Sequence, residues 1–262
     1  LSGSRAPLSK LSSNRGKMLP IPRLDVHRPG FDLLTLLCVG LIVVQAMLTV
    51  LGPGFAGGVY VEFGLTREGV LDGGLWQLVT HAFLHGGWMH VMVNVVLIYL
   101  VGGRIYHILG GGAFCRLFGG GILLGALFHL LFNPSRPIPA DPISNPLVGA
   151  SGGAMALLMA LTGLSPDSRM WPIPVSGKNL GRGFMLSMIL LYVLTPGVGI
   201  PVLSDIGAGL AALGMEGIFR IGHMCHFGGA LMGVLYARRL LRRPVTLEEL
   251  QRDRARREGA AA

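Results

Sequence analysis

With 51% hydrophobic and only 13% charged residues among its 262, this chain falls far below the roughly 25% charge of soluble domains. Charge is costly in lipid, so the shortfall places most of the chain in membrane spans and excludes an ordinary water-soluble domain. The formal net charge of +9 does not signal nucleic-acid binding, because the basic residues gather at the two ends, Arg5 to Arg28 and Arg238 to Arg257, without a basic groove of interleaved aromatics.

Six apolar runs are expected to be helices: Leu33–Leu51, Leu75–Val101, Phe114–Phe132, Gly149–Leu164, Phe184–Leu203 and His223–Leu241. The first is too long for a signal peptide and has no small-residue cleavage site. The fourth is shorter than the roughly 20 residues a span needs. Turn-forming stretches, 133–137 and 171–174, separate the runs. The expected fold class is all-α, a polytopic membrane protein with six transmembrane helices in a bundle. Residues 1–30 then form a cytoplasmic N-terminal segment, 31–243 the helical domain and 244–262 a polar cytoplasmic tail. With six spans both termini share a side. The N-terminal stretch, the loops 104–116 and 169–182 and the tail carry every basic residue except Arg67, Arg136 and Arg220. The positive-inside rule puts that side in the cytoplasm.

Cys38, Cys115 and Cys225 lie in or beside apolar runs and give neither a disulfide framework nor a paired metal signature. Much of the chain's glycine, 41 residues, falls within or beside the runs, where small residues let helices pack backbone to backbone.

A polar side chain inside a span costs on the order of 3 kcal/mol, so each one needs a partner or a purpose. Three clusters stand out: His81, His85, His90 and Asn94 around the second run, Gly149-Ala150-Ser151-Gly152 opening the fourth, and His226 in the sixth. A serine hydroxyl becomes a nucleophile when an imidazole takes its proton, and amide hydrolysis also needs donors for the developing oxyanion. Ser151 opens a helix, where unpaired backbone N–H groups face outward. Gly149 and Gly152 leave room beside it. His226 shares a stripe of small residues with Gly229, Ala230, Gly233 and Ala237, which lets the sixth helix sit against the fourth. His90 and Asn94, four apart, stack on one helix face and can donate to an oxyanion. No Asp or Glu falls inside the six runs, so the site is a dyad. Metal chemistry is not expected: His81 and His85 have zinc-pair spacing, but Ala82 stands where a zinc protease needs its Glu, and no carboxylate completes a set.

The Gly-x-Ser-Gly of 149–152, the His-x-x-x-Asn of 90–94 and the His-x-x-Gly-x-x-x-Gly of 226–233 resemble the rhomboid family of intramembrane serine proteases, in its order and on its second, fourth and sixth spans. The resemblance covers roughly Leu33 to Leu241. It implies Ser151 as nucleophile, His226 as general base and then acid, and His90, Asn94 and the Ser151 amide as oxyanion stabilisers. It also implies single-pass membrane proteins as substrates within the lipid bilayer, no cofactor, and an inner-membrane location. A cap over 197–214 and a gate at the fifth span follow by the same analogy. An inactive rhomboid-like protein that binds membrane clients is the rival reading; such proteins usually lack the serine or the histidine. The sequence departs from the family pattern at Gln77, where Trp-Arg is usual, at Tyr106, where Glu is often found, and at Cys225. The first two bear on loop anchoring and stability.

Overall fold

The computed structural model describes residues 32–132, 146–169 and 174–242, with Glu248, Gln251, Arg252 and Ala255 of the tail. The N-terminal segment 1–30, the turn at 133–137, residues 171–173 and most of the tail lie outside the described residues.

Helix α1, Leu33–Phe63, opens under Asp32, whose carboxylate accepts from the Thr35 N–H at 2.8 Å. It breaks at Gly52, which adopts φ 85° directly before Pro53. Proline has no N–H to give the carbonyl four residues back, so the first span ends where the sequence suggested, near Leu51, and a second helical piece runs on to Phe63. Two short helices follow, α2, Arg67–Leu71, and α3, Gln77–Thr80, and then a tight turn at His81–Phe83.

The second long helix, α4, is Trp88–Leu109 rather than the expected Leu75–Val101. Gly87, at φ 145°, takes a conformation that favours glycine and separates a looped segment, 64–87, from the helix. The Gly102-Gly103 pair does not end it either. Gly102 lies against Phe114, and the helix passes it through a widened turn at Ile98–Gly102.

Helix α5 is Gly111–Phe132, α6 is Ser151–Leu164 and α7 is Gly177–Leu194. The fifth run was expected over Phe184–Leu203; instead the helix starts earlier and stops before Pro196, which opens a short turn at Pro196–Val198. Much of the stretch expected as a cap is helical, α8, Leu203–Phe219. It docks on the end of α7, with Gly207 against the Leu194 carbonyl. Helix α9, His223–Leu241, completes the chain order. Among the described residues extended pairing is limited to isolated bridges, Leu65 with Leu147 and Arg169 with Ser176.

Among the described residues α1, α4 and α5 are long and apolar enough to cross a membrane, and α8 with α9 form a fourth such unit bent by 51°. The exposure pattern is that of a protein in lipid. Leu36, Val39, Val43, Met47 and Val50 of α1 face outward, whereas the short α6 is buried along most of its length. Helix α6 sits at the centre, held between α5 and α9 by contacts too close for side chains. A Cβ on Gly229 would collide with the Gly152 carbonyl, one on Gly233 with the Ala156 carbonyl, and one on Gly121 would stand 2.7 Å from the Gly152 oxygen. Backbone therefore meets backbone along this seam.

Gly233→Ala is expected to lower stability by about 1–3 kcal/mol, the range for overpacking a tight site. Gly119→Ala, whose methyl would meet open space, should be neutral or slightly stabilising. Thermal unfolding of both variants in detergent checks the contrast.

Candidate active site

The α6–α9 seam brings Ser151 and His226, 75 residues apart, to a hydrogen bond of 2.7 Å between Oγ and Nε2. Ser151 is the first residue of α6, and His226 stands one turn into α9, its N–H bonded to the Gly222 carbonyl at 3.0 Å. His223, one turn earlier, is buried, and neither of its ring nitrogens is hydrogen-bonded to Ser151. Ser151 is therefore bonded to His226 and not to its neighbour.

The turn into Ser151 is clamped from the loop side. Leu65 and Leu147 exchange N–H···O bonds of 3.0 and 2.9 Å, Gly149 N–H donates to the His81 carbonyl at 2.9 Å, and Ala150 N–H donates to His85 Nε2 at 3.4 Å. Gly149 sits at φ 120°, and a Cβ there would stand 2.7 Å from His90 Nε2. Glycine is required twice over, by conformation and by the imidazole packed on it.

His90 lies near the start of α4, where its Nδ1 accepts from the Gly86 N–H at 3.4 Å. That bond leaves the ring proton on Nε2, the atom that faces Gly149. Asn94 is buried and its Nδ2 donates to the His90 carbonyl at 2.9 Å; the amide's second N–H is a further donor on the same nitrogen. Gly229 and Gly233 are the points at which α9 rests on the Gly152 and Ala156 carbonyls of α6. Ser151 and His226 are thus brought together, with Gly149 against His90, while Asn94 is turned toward its own helix and Gly233 packs further along the seam against Ala156.

His85, which the sequence marked as one of a polar cluster without giving it a role, and Tyr60, which it did not mark, are members of this constellation. His85 is 1% exposed, accepts from the Ala150 N–H and stands edge-on to His90 with ring centroids 5.0 Å apart. Its place between His81 and His90 was the available signal. Tyr60, beyond the α1 break, donates its hydroxyl to the His85 carbonyl at 2.6 Å; nothing in the local sequence marks it.

Gln77, which stands where the resemblance expects Arg, is buried. Its Oε1 accepts from the Thr66 N–H at 3.1 Å and its Nε2 donates to the Glu62 carbonyl at 3.2 Å. Its backbone carbonyl accepts from His81 Nδ1 at 2.7 Å. A neutral amide therefore ties the loop, through His81, to Gly149. Among the described residues no three His, Cys, Asp or Glu side chains gather as a metal-binding group.

A family model, the Rhomboid domain, matches residues 72–243, which hold the serine, the four site histidines, the asparagine and the glycine seam. The chain belongs to the rhomboid family. Among known rhomboids, RHOMBOID-like protein 5 of Arabidopsis thaliana is 28% identical over 180 residues, 69% of this chain and 48% of that protein. Rhomboid protease GluP of Bacillus subtilis is 27% identical over 138 residues, 49% of this chain and 25% of the relative. Rhomboid-related protein 3 of Homo sapiens is 29% identical over 101 residues, 38% and 23% of the two chains. The matches span less than half the length of each of these relatives.

Gln77→Leu should cost about 1–2 kcal/mol, because it leaves the Thr66 N–H without its acceptor and removes one of the two donors, beside Trp76 Nε1, on the Glu62 carbonyl. The unfolding midpoint measures it, and an unchanged midpoint would mean that water replaces the amide.

Proposed function

We propose that this rhomboid is an intramembrane serine endopeptidase that cuts transmembrane segments of membrane proteins through a Ser151–His226 dyad. The observation that carries the reading is the 2.7 Å hydrogen bond between the Ser151 hydroxyl and His226 Nε2, which is proton-transfer geometry. As Ser151 Oγ attacks the scissile carbonyl carbon, its proton passes to His226 Nε2. The C–N bond then breaks and the same proton goes to the leaving amine, which leaves an acyl-serine. Water repeats the sequence: it loses a proton to His226, attacks the ester, and Ser151 departs with that proton.

The oxyanion of each tetrahedral intermediate needs donors already in place. The Ser151 N–H at the α6 start and the Nε2–H of His90 face the space over Gly149, and Asn94 supplies a third donor by turning its amide from the His90 carbonyl. Among the described residues no carboxylate is bonded to His226; the tight α6–α9 seam fixes its helix instead. The substrate class, single-pass membrane proteins, is the one that membership of the rhomboid family implies, and a serine set on a short helix within an apolar bundle is compatible with it. The domain occupies residues 31–243. The distribution of basic residues supports an inner-membrane protein with both ends in the cytoplasm.

Detergent-purified protein is expected to label with a fluorophosphonate probe, and Ser151→Ala and His226→Ala to abolish labelling and cleavage of a transmembrane peptide while still folding. Absence of labelling in the wild type would support the inactive, client-binding reading instead. Gly149→Ala, forced into a strained φ and against His90, should slow labelling about tenfold or more, as 1–3 kcal/mol of misplacement predicts.

A further inference from the structure

The seam between α5 and α9 continues past the dyad to the basic end of the bundle, and its register can be followed contact by contact. Gly228 lies against the Leu124 carbonyl, Gly120 under the Met232 side chain, and Arg116 beside Tyr236, with Nη2 donating to Oη at 3.4 Å. Each step of four residues along α9 is matched by a step of four back along α5, so the helices are antiparallel neighbours. The next step sets Gly112 level with Leu240, which brings the neighbouring Arg239 to the same end as Arg116. Gly112 presents bare backbone: a Cβ there would have the Arg116 guanidinium as its nearest neighbour, at 3.4 Å.

Neither α5 nor α9 contains Asp or Glu, so neither helix offers these arginines a carboxylate. Tyr236 accepts from Arg116 and keeps its own hydroxyl hydrogen to donate. The flanking surface is apolar and outward-facing, with Leu123, Leu127 and Leu131 on α5 and Leu235 and Leu241 on α9 exposed. Donors therefore collect where a lipid-facing surface gives way to the headgroup layer.

We propose that Arg116, Tyr236 and Arg239 bind the phosphodiester of an anionic phospholipid, whose headgroup lies over Gly112 and whose chains run along the leucine-lined face. Guanidinium groups match phosphate geometry with paired N–H donors, and the continuous apolar surface selects a lipid over a free phosphate. The site is remote from the dyad and does not depend on the peptidase reading.

The test is native mass spectrometry of lipid retained from nanodiscs of phosphatidylglycerol or phosphatidylcholine. Wild-type protein is expected to retain phosphatidylglycerol preferentially. Arg116→Gln combined with Arg239→Gln should reduce the preference about 25-fold, roughly fivefold for each arginine near the surface. Arg220→Gln, which removes a charge from the opposite end, should leave it unchanged. Gly112→Leu, which fills the headgroup position and keeps every charge, should also abolish the preference. No preference in the wild type, an equal loss in Arg220→Gln, or full retention in Gly112→Leu would overturn the site. In detergent, stabilisation of the wild type by inorganic phosphate as large as that by phosphatidylglycerol would overturn the lipid assignment.

Discussion

The close approach of α6 and α9 governs the rest of the molecule. In lipid, apolar side chains gain little by leaving the bilayer for a neighbouring helix, so association rests on contact area and on backbone proximity. Gly152, Gly229 and Gly233 let carbonyl oxygens on one helix meet bare α-carbons on the other. The same contact fixes the height and rotation of His226 relative to Ser151. A bulkier seam would push the helices apart and lengthen the one hydrogen bond on which the chemistry rests. Stability and site geometry are therefore set by the same atoms.

A second constraint comes from outside the bundle. The looped segment between α1 and α4 reaches in with three backbone or ring acceptors, the carbonyls of Leu65 and His81 and the imidazole of His85, each bonded to an N–H just before Ser151. The helix that Ser151 opens thus starts from a clamped turn. In apolar surroundings an unpaired N–H is expensive, and these bonds satisfy groups that would otherwise oppose burial of the turn. The histidines of the cluster divide the work. His81 donates to Gln77, His85 accepts from Ala150, and His90 accepts from Gly86 and so keeps its other nitrogen as a donor.

Much of this was legible in the sequence because polar residues in apolar runs are conspicuous. Ser151, His226, His90, Asn94 and Gly149 stood out for that reason, and the small-residue stripe on the last helix indicated which face packs. The boundaries of the second and fifth helices were less legible. Leu75–Phe83 is as apolar as a span yet folds into short helices and turns, because Gly86-Gly87 breaks the chain before Trp88, the Gln77 and Thr80 side chains donate to the Glu62 and Phe63 carbonyls, and the His81 carbonyl accepts from the Gly149 N–H. Hydropathy records the composition of that segment and is blind to those partners. Tyr60 and Gln77 were hidden for a related reason: their importance lies in which distant carbonyl each one reaches, and spacing along the chain does not encode that.

The break in α1 has a mechanical consequence. Residues 33–51, at 1.5 Å per residue, reach roughly 28 Å, close to the roughly 30 Å of a bilayer's hydrocarbon layer. Beyond Gly52 the helix points elsewhere and holds His85 through Tyr60. A membrane that thickens or thins is accommodated by tilting of the spanning piece. The glycine joint keeps that tilt from levering the tyrosine off its carbonyl, so the loop beside Ser151 is insulated from the changing dimensions of its solvent.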